Sequence, residues 1–175
     1  MDKAARTVGL PYPGGVNLDR ISVNGDAYKY TFPKPKVDGS PYDFSFSGLK
    51  TYVVNLVHNA EQRGEEIRAE DLGASFIRAV TDLLIDHTLA AAKELGSKKL
   101  VLAGGVSANS RLRRVMKEKC ECEGIKLYIP ELKYCGDNAA MIASQGYFEF
   151  KYNAEKKTVD TLTLNAVATK SVEEG

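Results

Sequence analysis

The chain has 175 residues, enough for about one domain with a sizeable core, and its 43% hydrophobic and 27% charged residues are the balance of a globular protein. A formal net charge of +1 excludes a strong whole-chain field for nucleic acid and leaves only local basic patches. No apolar run approaches the roughly 18 residues of a membrane span, and Asp2 and Lys3 directly after Met1 give no secretory signal.

Residues 2–9 read as a helix ending at Gly9. Leu10-Pro11-Tyr12-Pro13-Gly14-Gly15 is an irregular loop, because proline fixes φ and glycine frees it. A short helix is expected over 16–26, starting near Asn17. Residues 27–47 are rich in turn formers, and the alternation of Tyr28, Tyr30 and Phe32 allows a short strand. Ser47 is placed to cap a helix through Leu49, Val53, Leu56 and Val57 that stops near Gly64. A longer helix runs from about Ala69 to Leu95, with Leu72, Phe76, Ala79, Val80, Leu83, Leu84 and Leu89 at helical steps and Gly96 as its stop. Lys99 to Ala103 reads as a short buried strand, and a helix follows from near Ser107 to about Glu121. Leu127-Tyr128-Ile129 is a second strand, a loop covers Pro130 to Gly136, and a helix runs from Asp137 to about Phe150. Strand, helix, strand and helix in this order predict a parallel βαβ unit. After Asn153 the chain is a polar tail.

Ala103-Gly104-Gly105-Val106-Ser107-Ala108-Asn109-Ser110 lies at a strand-to-helix junction, the end of a parallel strand where α/β proteins bind ligands. The bare backbone of Gly104 and Gly105 admits a flat ring or a phosphate, and Asn109 could read a base edge or a ribose hydroxyl. A tight βα turn with Ser107 as helix cap explains the same residues, and neither a dinucleotide fingerprint nor a P-loop is present. Asp137, in Cys135-Gly136-Asp137-Asn138-Ala139-Ala140-Met141, is either a metal-binding carboxylate or the cap of the helix that follows, and one group can serve both. Asp2 and Asp19 flank the bare turn at Gly15, and paired carboxylates suit the donor hydroxyls of a ribose, as solvated surface acids also would stand there. In Asp43-Phe44-Ser45-Phe46-Ser47-Gly48-Leu49-Lys50-Thr51 the two phenylalanines read as core anchors. Arg111, Arg114 and Lys117 share a helix face with Glu118 and Glu121 close by, a pattern read as a solvated face. His58 and His87 form no ligand pair and read as structural. Cys120, Cys122 and Cys135 are odd in number and suit neither a disulfide framework nor a zinc knuckle, which points to a reducing cytoplasm.

Taken in order, these segments resemble the tRNA threonylcarbamoyl-adenosine transferases, a family formerly labelled glycoproteases. The resemblance runs from Asp2-Lys3 through Tyr12-Pro13-Gly14-Gly15, Asp43 to Thr51 and Ala103 to Asn109, to Asp137-Asn138-Ala139-Ala140-Met141-Ile142-Ala143. It implies an α/β fold, the helix-rich second lobe of the actin, hexokinase and heat-shock ATPase architecture, with residues 1–153 as a partial nucleotide-binding lobe and 154–175 as a carboxy-terminal tail. Under it, Asp2, Gly15, Asp19 and Asn109 hold the adenylate part of the substrate, and Gly104 and Gly105 line the adenine cleft. Asp137 is one ligand of an iron or zinc ion. The implied reaction moves a threonylcarbamoyl group from threonylcarbamoyl-AMP to adenosine 37 of tRNA. Implied partners are tRNA, an adenine nucleotide, a small paralogue, and an ATPase or kinase subunit, with no membrane. The family's paired-histidine motif has no counterpart here, so the chain is expected to be a fragment, inactive alone, that begins inside a family helix. The alternative is a non-catalytic lobe that binds nucleotide or docks partners. A metalloprotease would need a Glu-His zinc motif, which is not found.

Overall fold

A computed structural model describes residues 1–35, 37, 39, 41–152 and 165. The expectation of a tail over 154–175 therefore falls, apart from Asn165, outside the described residues. The chain divides into two units, Met1–Gly136 and Asp137–Gly175.

The first unit contains α1 (Asp2–Thr7), α2 (Gly14–Ser22), α3 (Ser47–Arg63), α4 (Ala69–Glu94), β1 (Lys99–Val101), α5 (Ser110–Cys122) and β2 (Lys126–Tyr128). Short 3₁₀ turns at Gly105–Ala108 and Leu132–Tyr134 follow the two strands. The second unit contains α6 (Ala139–Tyr152). Among the described residues no helix is long and apolar enough to cross a membrane.

Helix α4 organises the first unit. At 1.5 Å per residue it is about 39 Å long, and its apolar stripe serves two cores in succession. Leu72, Phe76, Ile77 and Val80 pack with Ala4, Ala5, Leu18, Phe32, Leu49 and Val53. Further along, Ile85, Leu89 and Ala92 pack with Leu112, Met116, Cys120 and Ile125, and Leu84 touches both clusters. Gly73 lets α2 come close, since a Cβ there would sit 3.1 Å from the Leu18 side chain. Burial pushes the Cys120 thiol up from its ordinary range, so this cysteine behaves as a small core hydrophobe.

The strand proposed for Tyr28, Tyr30 and Phe32 is not formed. Its backbone is instead held by a row of side chains on α4. Asp71 accepts from the Asp26 amide at 2.8 Å, and the Ser75 hydroxyl donates to the Asp26 carbonyl and accepts from the Tyr30 amide. Arg78 donates to the Ala27 carbonyl at 2.7 Å and lies over the Tyr28 ring. Asp71, Ser75 and Arg78 sit at helical steps on one face and engage backbone groups of Asp26, Ala27 and Tyr30 that would otherwise be free for a ladder.

The parallel βαβ unit is present: β1 pairs with β2 in parallel, with Leu100 opposite Leu127 and Val101 opposite Tyr128. Two glycines set its helix-to-strand junctions. Gly96 and Gly124 take φ of +63° and +64°, and the next residues, Ser97 and Ile125, donate back to Ala92 and Cys120 at 2.8 Å. This is the left-handed helix stop, and it delivers the chain directly into each strand. The buried-strand reading of Lys99 to Ala103 needs correction. Only Leu100 and Leu102 turn toward the core, while Val101 is 71% exposed, because the sheet of the described residues has two strands and helices cover one face.

Other expectations also shift. Helix α2 starts at Gly14, before Asn17, because Pro13 supplies the extended N-cap conformation after a cis Tyr12-Pro13 bond. Phe44 and Phe46 are not core anchors: they are 43% and 40% exposed, stack on each other, and Phe44 stacks on His87. Ser47 is the first residue of α3 and makes no cap bond. Arg111 is not on a solvated face, since it donates to Asp82 at 2.8 Å and to the Thr81 hydroxyl, tying α5 to α4. Arg114 and Lys117 do face solvent, paired with Glu118 and Glu121.

Gly25 is a strict packing position, because a Cβ there would lie 2.0 Å from the Glu70 carbonyl oxygen. Gly25→Ala is expected to lower the unfolding free energy by about 2–3 kcal/mol in urea melts, as overpacking does. Gly48→Ala meets nothing within 4 Å and is expected to be neutral or up to about 1 kcal/mol stabilising.

Candidate functional site

Four of the residues singled out from the sequence meet along one face of the first unit. The Asp2 carboxylate accepts from the Gly15 amide at 3.1 Å, so it closes the amino end of α2. Gly14 permits this approach, since a Cβ there would fall 2.7 Å from the Asp2 Cα. One turn along α2 stands Asp19, half-buried. Its Oδ1 accepts from Asn109 Nδ2 at 2.7 Å and from the Ser110 hydroxyl at 2.9 Å, and its Oδ2 accepts from the Ser110 amide at 3.0 Å. The Asn109 Oδ1 in turn accepts from the Leu112 amide at 2.9 Å. Asn109 is therefore the N-cap of α5, and Asp19 supplies a second acceptor to the same helix end.

The junction before α5 differs from the sequence reading. The helix does not begin at Ser107. Gly104, at φ 87° and ψ 169°, turns the chain out of β1 into the 3₁₀ turn Gly105–Ala108, and α5 starts only at Ser110. Ser107 is no cap: it is 1% exposed and its hydroxyl has no hydrogen-bond partner. Gly104 and Gly105 have nothing within 4 Å of the Cβ positions they lack.

The hydrogen-bond inventory limits what these groups can still do. A carboxylate has about four acceptor sites and an amide nitrogen two donors. Asp19 retains free capacity on Oδ2, and Asn109 retains one N–H. Each of the two helix ends is already met by a carboxylate, which opposes a phosphate docking directly there. The remaining capacity is an acceptor position on Asp19 and one donor on Asn109.

Asp137 belongs to the second unit. It is exposed and does not cap α6; Asn138 does, accepting from the Met141 amide at 3.0 Å. Among the described residues no group of three or more His, Cys, Asp and Glu side chains gathers as a metal site. A transition metal needs about three or four ligands, so these residues do not hold one by themselves. The three cysteines are free thiols, with Cys120 and Cys135 buried and Cys122 exposed. Sequence reasoning missed Ser110 as a partner of Asp19. A small hydroxyl residue next to a capping asparagine was the available signal.

These features define a mostly helical α/β protein with a polar cluster beside the glycine turn that leaves β1. The sequence model of the tRNA N6-adenosine threonylcarbamoyltransferase family matches residues 1–144. Curated relatives bearing that name include one from Caldicellulosiruptor saccharolyticus, 49% identical over 148 residues, covering 85% of this chain and 44% of the relative. Others come from Caldicellulosiruptor bescii (48% identical, 95% of this chain, 48% of the relative) and Bacillus subtilis (50% identical, 86% and 43%). The chain belongs to the tRNA N6-adenosine threonylcarbamoyltransferase family, and it spans about half the length of the curated relatives it matches.

Asn109→Ala removes a cap and a bond to Asp19, and is expected to cost about 1–2 kcal/mol in denaturant melts. Ser107→Ala removes a buried hydroxyl with no partner and is expected to be neutral or slightly stabilising in the same melts.

Proposed function

We propose that this chain supplies the adenylate-holding part of a transferase that moves the threonylcarbamoyl group of threonylcarbamoyl-AMP to adenosine 37 of tRNA. The observation that supports it most is the pair of contacts Asp2–Gly15 and Asp19–Asn109, one turn apart on α2, with Asn109 following the turn in which Gly104 and Gly105 have free space at their Cβ positions. In this reading Asp2 and Asp19 accept from the ribose hydroxyls, Asn109 offers its remaining N–H, and the glycine turn leaves room for the adenine ring. The lobe would be the helix-rich second half of an actin- and hexokinase-like fold, with residues 1–153 as the nucleotide-binding part and 154–175 as a tail.

The chemistry is acyl-type transfer from a mixed anhydride. The exocyclic amine attacks the carbamoyl carbon, a C–N bond forms, the C–O bond to phosphate breaks, AMP leaves, and the amine gives up a proton. Holding the adenylate rigidly is the contribution within reach of these residues, because orientation alone lowers such a barrier substantially. Asp137 is assigned as one carboxylate toward the family's metal, with no step of the reaction carried through it here. Companion subunits and tRNA belong to the same proposal, as does inactivity of the chain alone.

A second reading, a lobe that docks partners without catalysis, is favoured by α6, on which Ile142, Tyr147, Phe150 and Tyr152 are all more than half exposed.

Calorimetric titration with AMP separates the two. The chain is expected to bind AMP with micromolar affinity, weakened about tenfold or more in Asn109→Ala under conditions where the variant remains folded. Absence of saturable binding up to millimolar AMP would overturn the adenylate reading in favour of the docking one. Incubated with tRNA and threonylcarbamoyl-AMP, the isolated chain is expected to leave the tRNA unmodified; modified nucleoside after digestion would contradict its inactivity.

A further inference from the structure

We propose that Arg113 is a positioning residue that locks the two loops at the carboxyl ends of β1 and β2 into one fixed arrangement, and so presets the glycine turn for its ligand. Arg113 sits on the first turn of α5, four residues after the capping Asn109. Its Nη1 donates to the Ser107 carbonyl at 3.0 Å, within the turn that follows Gly104 and Gly105. Its Nη2 donates to the Pro130 carbonyl at 2.8 Å, just beyond β2. The same Nη1 also reaches the Cys135 sulfur at 3.5 Å, and that buried thiol donates to the Glu131 carbonyl. One planar guanidinium thus holds both loops through the backbone.

Arg113 differs in this from its basic neighbours. Arg114, Lys117 and Lys119 pair with exposed carboxylates, and Arg111 pairs with Asp82 on α4. Arg113 has no carboxylate partner in a salt bridge among the described residues; its named partners are two main-chain carbonyls and a thiol. A fork of fixed geometry is suited to spanning two carbonyl oxygens, and a lysine ammonium on a flexible stem is not. The β1 loop is tied at its far end by Asn109 and Ser110 to Asp19 and internally by the Ser107 and Asn109 amides, and Arg113 adds the tie from Ser107 to the β2 loop. Ser107 makes no side-chain bond, and no side chain of Gly104 or Gly105 exists to pack. Loops at this end of a parallel sheet are the ordinary place for a ligand, and Arg113 fixes the spacing between them without touching the ligand itself.

The role in nucleotide binding rests on the adenylate reading; the clamp itself does not. The test uses the full chain and the variants Arg113→Gln and Arg113→Lys, in two measurements. The first is amide hydrogen exchange of the ligand-free protein. In Arg113→Gln the Ser107 and Asn109 amides after β1 and the Tyr134 and Cys135 amides after β2 are expected to exchange about tenfold faster together, while amides in the middle of α4 keep their rates. The second is AMP titration, where Arg113→Gln is expected to lose about tenfold in affinity and Arg113→Lys is expected not to restore it. Unchanged exchange in both loops, acceleration in one alone, or full rescue by lysine would each overturn the clamp. Failure of the wild-type chain to bind AMP would overturn the adenylate reading and leave the clamp to be decided by the exchange rates.

Discussion

The Asp19 carboxylate is the point on which the candidate site depends. It lies on α2 and accepts three hydrogen bonds from Asn109 and Ser110 at the start of α5, 90 and 91 residues away in sequence. Among the described residues no apolar cluster joins α2 directly to α5. One core binds α1 to α4 around Leu18, and the other binds α4 to α5 around Leu112 and Met116. Both cores fix α4, and this polar knot adds a direct link between α2 and the start of α5. Charge-assisted bonds to a helix end are among the stronger single contacts available to a half-exposed carboxylate. The same contacts consume most of the lone pairs of Asp19.

Much of this arrangement was legible in the sequence. The periodicity of Leu72, Phe76, Val80, Leu84 and Leu89 is the core-facing stripe of α4, and Gly96 ends it with the expected left-handed turn. The parallel βαβ unit follows from short apolar runs separated by a helical pattern. Asp2, Gly15, Asp19 and Asn109 were each named, but their mutual contact could not be read from spacing. It depends on α1 folding against α2 and on α2 and α5 both packing on α4.

The misreadings share a cause. Tyr28, Tyr30 and Phe32 alternate as a strand would, yet side chains of α4 take backbone hydrogen bonds of Asp26, Ala27 and Tyr30, and the Tyr28 amide turns back to Asp26. Ser107 and Asp137 look like helix caps, yet the next asparagine takes that role in each case, Asn109 for α5 and Asn138 for α6. Local chemistry named the right junctions and missed by one or two residues which side chain closes them, because the intervening turns are decided by tertiary fit. The chain spans about half of the relatives it matches.

The measurement that bears most directly on the account is nuclear magnetic resonance of the labelled chain during an AMP titration. The amides of Gly15, Asp19, Gly104, Gly105 and Ser110 are expected to shift together and saturate along one binding curve. Shifts confined to the separate cavity of about 340 Å³ beside Phe32, Pro35, Arg78 and His87, with the Asp19 and Gly104 amides unmoved, would contradict it.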